Sequence, residues 1–175
     1  AYQSRGLGDV YKRQGSAIVL SNTGSGAFNI TGNGVTGGIL ATNNNGSGGS
    51  ITGTTGDAIS LNNTGPVTLR QMNIGAAGGL SNIGGSGVRA NAVNGLIVAN
   101  TNFRNVGNQA SPDEAAIFIT APSTSSNVIL ANNLFNRSFD DHVRIENQGN
   151  VLGTISVTQN NFDDNTASGV GNDAL

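Results

Sequence analysis

The sequence predicts an all-β fold: a right-handed, single-chain parallel β-helix of about five coils, each with three short strands. The first observation is an Asn-rich phrase that returns about every 27–32 residues, a period typical of solenoids. The second is a set of apolar residues that alternate with polar ones, as in half-buried strands. The third is the absence of helical periodicity in a chain with 27 Gly. The copies of the phrase are residues 69–74, 98–103, 130–135 and 157–162, with a weaker copy at 30–35.

Apolar pairs place the three strands within each coil. In one coil, Ile59 and Leu61 mark strand one, Val67 and Leu69 mark strand two, and Ile74 marks strand three. Each pair has a polar residue between its members, so both apolar side chains share one face of the strand. The matching strand-one pairs are Ile18/Leu20, Val88/Ala90, Ile117/Ile119 and Val143/Ile145, and the strand-two pairs are Phe28/Ile30, Leu96/Val98, Val128/Leu130 and Ile155/Val157.

A bend between strands two and three follows from parity. Val67 and Leu69 point inward, so strict alternation would place the next inward residues at 71 and 73. The apolar side chain is instead at Ile74. One residue must absorb this change of register, and Asn adopts left-handed backbone conformations at low cost. We therefore expect a bend inside each Asn-rich phrase.

Stacked coils, roughly 4.8 Å apart, place equivalent residues in columns. Strand three then gives an internal apolar column. The bend gives an amide ladder, in which each side chain donates to one neighbour and accepts from the other. A second amide column, Asn73, Asn102 and Asn161, is interrupted by Leu134. We interpret these columns as scaffold. The apolar column is Ile74, Phe103, Phe135 and Phe162, and the amide ladder is Gln71, Asn100, Asn132 and Gln159.

The connections between coils differ in length. Residues 36–56 are expected to form a loop with one extra short strand at Ile51. The later variable segments, residues 75–87, 104–115 and 136–141, all lie between strand three and the next strand one. They should therefore gather on one edge of the solenoid, where repeat proteins often bind partners.

Residues 4–14 do not follow the repeat. Their final run, Asp-Val-Tyr-Lys-Arg-Gln, resembles the translation of a transposase-based sequencing adapter. The resemblance implies that residues 1–14 are a non-native leader, and that residues 15–175 are the repeat domain. Residues 171–175 restart the pattern of residues 55–59. We therefore expect the chain to be a metagenomic fragment, truncated at both ends, with further coils of the same protein on either side.

Composition limits the partners. The net charge is −2, and excluding residues 4–14 leaves five basic and nine acidic residues. This acidic balance argues against nucleic acid as a partner. No apolar run reaches the length of a transmembrane helix. The chain has no Cys, which is common among extracellular repeat proteins of bacteria.

The densest cluster of charge lies at residues 140–146. Alternation turns Val143 and Ile145 inward and would turn the residues between them outward. Paired carboxylates can cleave glycosides as acid and base. Alternatively, carboxylates can bind calcium while an arginine abstracts a sugar proton. The candidate catalytic residues are Asp140, Asp141, His142 and Arg144, together with Asp113 and Glu114 of the preceding coil, which stacking would bring close.

The same cluster has a structural interpretation. His142, Arg144 and Glu146 would share the outer face of one strand, where their charges pair across coils at little energetic gain. Arg144 would lie two coils from Arg89, with Phe118 between them. The cluster therefore predicts either a catalytic site or a solvated, ion-paired face.

Asp163 and Asp164 begin the loop after the last phrase. Acidic residues in a Gly-rich setting can bind calcium. The Gly-Gly-x-Gly-x-Asp repeat that would specify such a site is absent. Calcium is therefore the one cofactor for which the sequence offers candidate ligands.

The runs at residues 48–62, 65–69 and 141–145 resemble large bacterial right-handed β-helix repeat proteins. The resemblance implies a secreted or cell-surface location and a structural or adhesive role, with polysaccharide or a host or cell surface as partner. The cluster at 140–146 also resembles parts of pectin-degrading hydrolases. In that family the parts are spread over several coils and include a Gly-His-Gly sequence, which this chain lacks. An adhesive repeat segment and a fragment of a polysaccharide lyase or glycoside hydrolase both remain open.

Overall fold

The computed structural model describes residues 15–34, 44–76, 83–108, 113–120, 127–147 and 153–163. These residues form strands and no helix. Among them there is accordingly no helix that is long and apolar enough to span a membrane. The strands follow the predicted order of three per coil. They are β1 (Ile18–Ser21), β2 (Phe28–Ile30), β3 (Gly49–Ile51), β4 (Ile59–Thr64), β5 (Val67–Arg70), β6 (Met72–Ile74), β7 (Val88–Val93), β8 (Leu96–Ala99), β9 (Asn102–Val106), β10 (Ala115–Thr120), β11 (Val128–Ala131), β12 (Leu134–Ser138), β13 (Asp141–Glu146), β14 (Ile155–Thr158) and β15 (Asn161–Asp163).

Every strand pairs in parallel with the strand of the same rank in the next coil. This pairing produces three five-stranded sheets: sheet A (β1-β4-β7-β10-β13), sheet B (β2-β5-β8-β11-β14) and sheet C (β3-β6-β9-β12-β15). Parallel strands joined by a full coil of chain are the defining feature of a β-helix. The predicted all-β solenoid of about five coils is confirmed.

The core lies inside the three sheets and consists of stacked apolar columns. Phe103 and Phe135 are fully buried. The Phe135 ring stacks on Phe103 at 5.2 Å and on Phe162 at 5.0 Å between centroids, with planes within 9°. Ile74 pairs in register with Phe103. The four residues expected to form the apolar column therefore lie one above another.

The bend predicted from parity has a left-handed backbone. The residues between sheets B and C have φ of 56° at Gln71, 52° at Asn100, 56° at Asn132 and 53° at Gln159. A left-handed residue reverses the side-chain alternation, so strand three can again face inward. Gly32 has φ of 60° at the same place in the first coil.

This backbone predicts opposite effects for two substitutions at Gln159, whose side chain is exposed. Gln159→Gly removes the steric cost of positive φ and should leave the free energy of unfolding unchanged or slightly raised. Gln159→Val places a β-branched side chain in the left-handed region and should lower the free energy of unfolding by about 1–2 kcal/mol. Urea denaturation measures both, and equal stability of the two variants would contradict the assigned bend.

Gln71, Asn100 and Asn132 of the expected amide ladder are buried, but the side-chain hydrogen bonds between coils run through the residue after each of them. Asn133 Oδ1 accepts from Thr101 N at 3.0 Å, and Asn133 Nδ2 donates to Asn160 Oδ1 at 3.0 Å. By contrast, Asn132 Oδ1 is buried without a hydrogen-bond partner among the described residues. The residue after the left-handed bend points inward, so Asn133 joins coils where the sequence interpretation placed Asn132.

The first coil corrects the expectation for residues 36–56. Ile30 pairs with Leu69, and Ile51 pairs with Ile74. The strand at Ile51 is therefore not an extra strand, because β3 is the third strand of the first coil. Val35, which the weaker phrase assigned to that position, lies outside the described residues. The insertion falls between sheets B and C instead of between coils.

Candidate functional site

The outer face of sheet A carries a stacked column of one aromatic and two cationic side chains. Phe118 pairs in register with Arg89 on one side and with Arg144 on the other. The guanidinium carbons lie 4.6 Å (Arg89) and 5.4 Å (Arg144) from the centroid of the ring. These distances fit cation–π contacts on both sides of the ring. We call Arg89, Phe118 and Arg144 the arginine–phenylalanine column, and it has the order that stacking predicted.

Arg144 lies within ion-pair distance of three carboxylates. Its Nη2 lies 2.9 Å from Asp113 Oδ2 and 2.7 Å from Glu146 Oε1, and its Nη1 lies 3.6 Å from Asp141 Oδ2. The hydrogen bond to Glu146 raises the pKa of Arg144; desolvation opposes this, and the charges of Asp113, Glu146 and Asp141 add to it. Arg144 is therefore a fixed cation that joins coil four to coil five.

Arg89, at the opposite end of the column from Arg144, forms a second cluster of polar contacts. Its Nε lies 3.1 Å from Asp57 Oδ2, and its Nη2 donates to Ser86 Oγ at 3.2 Å and to the main-chain O of Asp113 at 2.9 Å. These partners belong to coils two, three and four. The sequence interpretation missed Asp57 and Ser86. A signal for Asp57 was present in the sequence. Asp57 stands two residues before Ile59, as Asp141 stands two residues before Val143, so the two aspartates occupy equivalent positions in their coils.

The expectation that His142 faces outward is wrong. His142 is 1 % exposed, its Nδ1 lies 2.8 Å from Ser138 Oγ, and its ring lies 6.0 Å from Phe135 and 5.9 Å from Phe162. His142 is the second residue of β13, and it and the next residue, Val143, are both buried, so alternation does not hold at the start of this strand. Other coils have small buried residues there, Ala58, Gly87 and Ala116.

The remaining acidic candidates do not all join Arg144. Glu114 is 3 % exposed, and its carboxylate accepts a hydrogen bond from Asn108 N. Its main-chain O accepts from Asp141 N at 3.4 Å, so the two coils do meet here. Asp140 is partly buried and forms no ion pair with Arg144. Only Asp113 and Asp141 of the expected acidic set therefore converge with Glu146 on the guanidinium.

The calcium candidates are divided between described and undescribed residues. Asp163 Oδ2 accepts from Asn136 Nδ2 at 3.1 Å, across coils four and five. Asp164 lies outside the described residues. Within the described ranges, no group of three or more His, Cys, Asp or Glu side chains is arranged to hold a metal ion. The described geometry therefore gives Asp163 a role as a hydrogen-bond acceptor between coils.

The charges define the chemistry of the outer face. Asp57, Asp113, Asp141 and Glu146 each lie within ion-pair distance of Arg89 or Arg144. Acid–base cleavage of a glycoside needs one carboxyl group that holds a proton and one that does not. Each of these four carboxylates has an arginine as its partner. This geometry favours a charged, cross-linked surface over a proton-transfer pair.

No protein-family model, curated protein or solved structure matches this chain. The fold and the arginine–phenylalanine column therefore define a class, a parallel β-solenoid with an ion-paired outer face.

Proposed function

We propose that the chain is a structural and adhesive repeat segment of a secreted or cell-surface bacterial protein, and that the outer face of sheet A contacts carbohydrate. The observation that carries the proposal is the arginine–phenylalanine column with its cross-coil ion pairs. These contacts tie the outer face together across four coils. A stiff solenoid with such a surface suits a spacer that presents binding groups.

A second column beside the arginines supplies hydrogen-bonding groups for sugar hydroxyls. Asn62 pairs with Asn91, and Asn91 pairs with Thr120, which pairs with Glu146. Asn91 Nδ2 donates to Asn62 Oδ1 at 3.1 Å, so amide groups line the face in series. Amides and hydroxyls both donate and accept, as sugar hydroxyls do.

The charge balance of this face favours a neutral glycan. Two arginines, Arg89 and Arg144, face four carboxylates. The excess negative charge would repel polymers of uronic acids. We therefore propose an uncharged polysaccharide as the partner.

Binding to immobilised neutral and acidic polysaccharides tests the proposal. The full chain should bind a neutral polymer, and Arg144→Gln should weaken that binding about tenfold by disordering the face. Arg70→Gln, on sheet B, is the matched control and should bind as the unchanged chain does. Equal loss in both variants, or no binding to any neutral polymer, would overturn the proposal.

A fragment of a polysaccharide lyase or glycoside hydrolase is the alternative. The observation in its favour is the convergence of Asp113, Asp141 and Glu146 around Arg144 on an open face. In such an enzyme Arg144 would position the sugar, and a carboxylate would release its ion pair with Arg144 on substrate binding. The two functions differ in whether the bound polymer is cleaved.

A further inference from the structure

A segment of the first coil inserts an asparagine between later coils. Residues 44–48, which we call the strap, lie against the bend between sheets B and C. The second and third coils pass from the bend straight into strand three, at Gln71–Met72 and at Asn100–Asn102. The strap is therefore an addition to the repeat. Asn44 is only 7 % exposed, although it belongs to no strand.

Four hydrogen bonds fix Asn44 in a polar recess. Its Nδ2 donates to Asn102 Oδ1 at 3.2 Å and to the main-chain O of Asn132 at 3.1 Å. Its Oδ1 accepts from Asn100 Nδ2 at 3.4 Å, and its main-chain O accepts from Asn102 Nδ2 at 2.9 Å. Asn100, Asn102 and Asn132 are 1 %, 6 % and 9 % exposed. The recess is thus built from buried groups of coils three and four.

The pattern of donors and acceptors specifies the occupant. Two acceptors receive both hydrogens of one NH₂ group, and one donor faces the adjacent carbonyl oxygen, which is the complement of a primary carboxamide. A carboxylate has no hydrogens to donate there, and a sugar hydroxyl has one. The bond to the main-chain O of Asn44 adds a requirement for a peptide. The recess therefore recognises an asparagine residue within a polypeptide.

A second contact involves Ser47, which lies further along the strap. Ser47 Oγ donates to Gln71 Oε1 at 3.3 Å, in coil two. Asn132 Oδ1 is buried beside the recess without a partner among the described residues. The site therefore spans three coils and retains an acceptor that the strap does not use.

We propose that this recess is a binding site for an asparagine-containing polypeptide, that the strap fills it in cis, and that a second copy of the chain binds there through its own strap. The second copy is the partner that fits, because it carries the same Asn-x-x-Ser segment. When two copies exchange an identical segment, the contacts between the copies are the same as the contacts within one copy. The contact would join copies of an adhesive protein, and it does not depend on the proposed carbohydrate binding.

A peptide titration tests the site. The probe is a capped peptide of residues 44–50, Asn-Asn-Gly-Ser-Gly-Gly-Ser, added to the full chain and followed by NMR. Asn44→Ala opens the recess and should bind the peptide saturably, whereas the unchanged chain should bind it at least about tenfold more weakly because the strap competes in cis. A peptide with Asp at the first position should not bind. Binding to neither protein, or equal binding of both peptides, would overturn the proposal.

Complementation between two variants tests exchange between copies. Asn44→Ala has an open recess, and Asn102→Leu has a disabled recess with an intact strap. Leucine is tolerated at this position, since Leu134 pairs with Asn102 in the next coil. Each variant should sediment as a monomer and the mixture should contain a dimer; a monomeric mixture would contradict strap exchange. Asn44→Asp, which disables the two donated bonds, replaces Asn44→Ala if circular dichroism shows that the latter is unfolded.

Discussion

Phe135→Ala is expected to lower the free energy of unfolding by about 3–5 kcal/mol, a large part of the stability of a domain of this size. Phe135 is fully buried. Its ring contacts Phe103 and Phe162 on opposite faces, with centroid distances of 5.2 and 5.0 Å. Truncation leaves a cavity between two coils that the rigid sheets cannot close. Urea denaturation followed by far-ultraviolet circular dichroism measures the loss.

The same column supplies a matched control. Ile74 occupies the equivalent position two coils earlier, so the fold accepts an aliphatic side chain there. Phe135→Ile should therefore cost much less than Phe135→Ala, on the order of 1–2 kcal/mol. An alanine variant as stable as the isoleucine variant would show that the aromatic stack does not hold the coils together.

Asn133→Ala is expected to lower the free energy of unfolding by about 2–4 kcal/mol, because it leaves the buried main-chain N–H of Thr101 without its acceptor and removes the side-chain bonds to Val98 O and Asn160. Asn133 is fully buried. Its Oδ1 accepts from Thr101 N at 3.0 Å, and its Nδ2 donates to the main-chain O of Val98 at 2.9 Å. The Thr101 N–H cannot turn to water instead, because Thr101 is fully buried. Thermal and urea denaturation both measure the effect.

Thr101 indicates the control for this prediction. It occupies the same column one coil earlier, and its Oγ1 accepts from Met72 N at 3.4 Å. Asn133→Thr should therefore retain an acceptor for Thr101 N and lose about half as much stability as Asn133→Ala. If Asn133→Ala unfolds at the same urea concentration as the unchanged chain, the buried amide does not join the coils.

The repeat made the coil architecture predictable from sequence. Alternation located both inward faces, and the parity of Leu69 and Ile74 required a bend whose left-handed residue is Gln71. Alternation did not predict the burial of Asn133, because the residue that follows a left-handed bend also turns inward. Local pattern therefore located the bend, but the direction of each polar side chain depended on backbone geometry.

The candidate site was only partly predictable. The order Arg89, Phe118, Arg144 followed from stacking alone. His142 was misplaced because the consecutive residues His142 and Val143 at the start of β13 are both buried, although the small residues Ala58 and Ala116 at the position of His142 were a usable signal. No sequence pattern pointed to the contacts of Asn44 with coils three and four, because they depend on the path of an insertion.

A cleavage assay tests whether the arginine–phenylalanine column is an ion-paired binding face or a catalytic site. The full chain is incubated with neutral polysaccharides, pectin and alginate, and new reducing or unsaturated ends are measured. If the column is a binding face, the chain should produce no more ends than heat-inactivated protein does. Ends that appear with the unchanged chain and with Arg70→Gln, but disappear with Asp141→Ala, would contradict it and establish the enzyme.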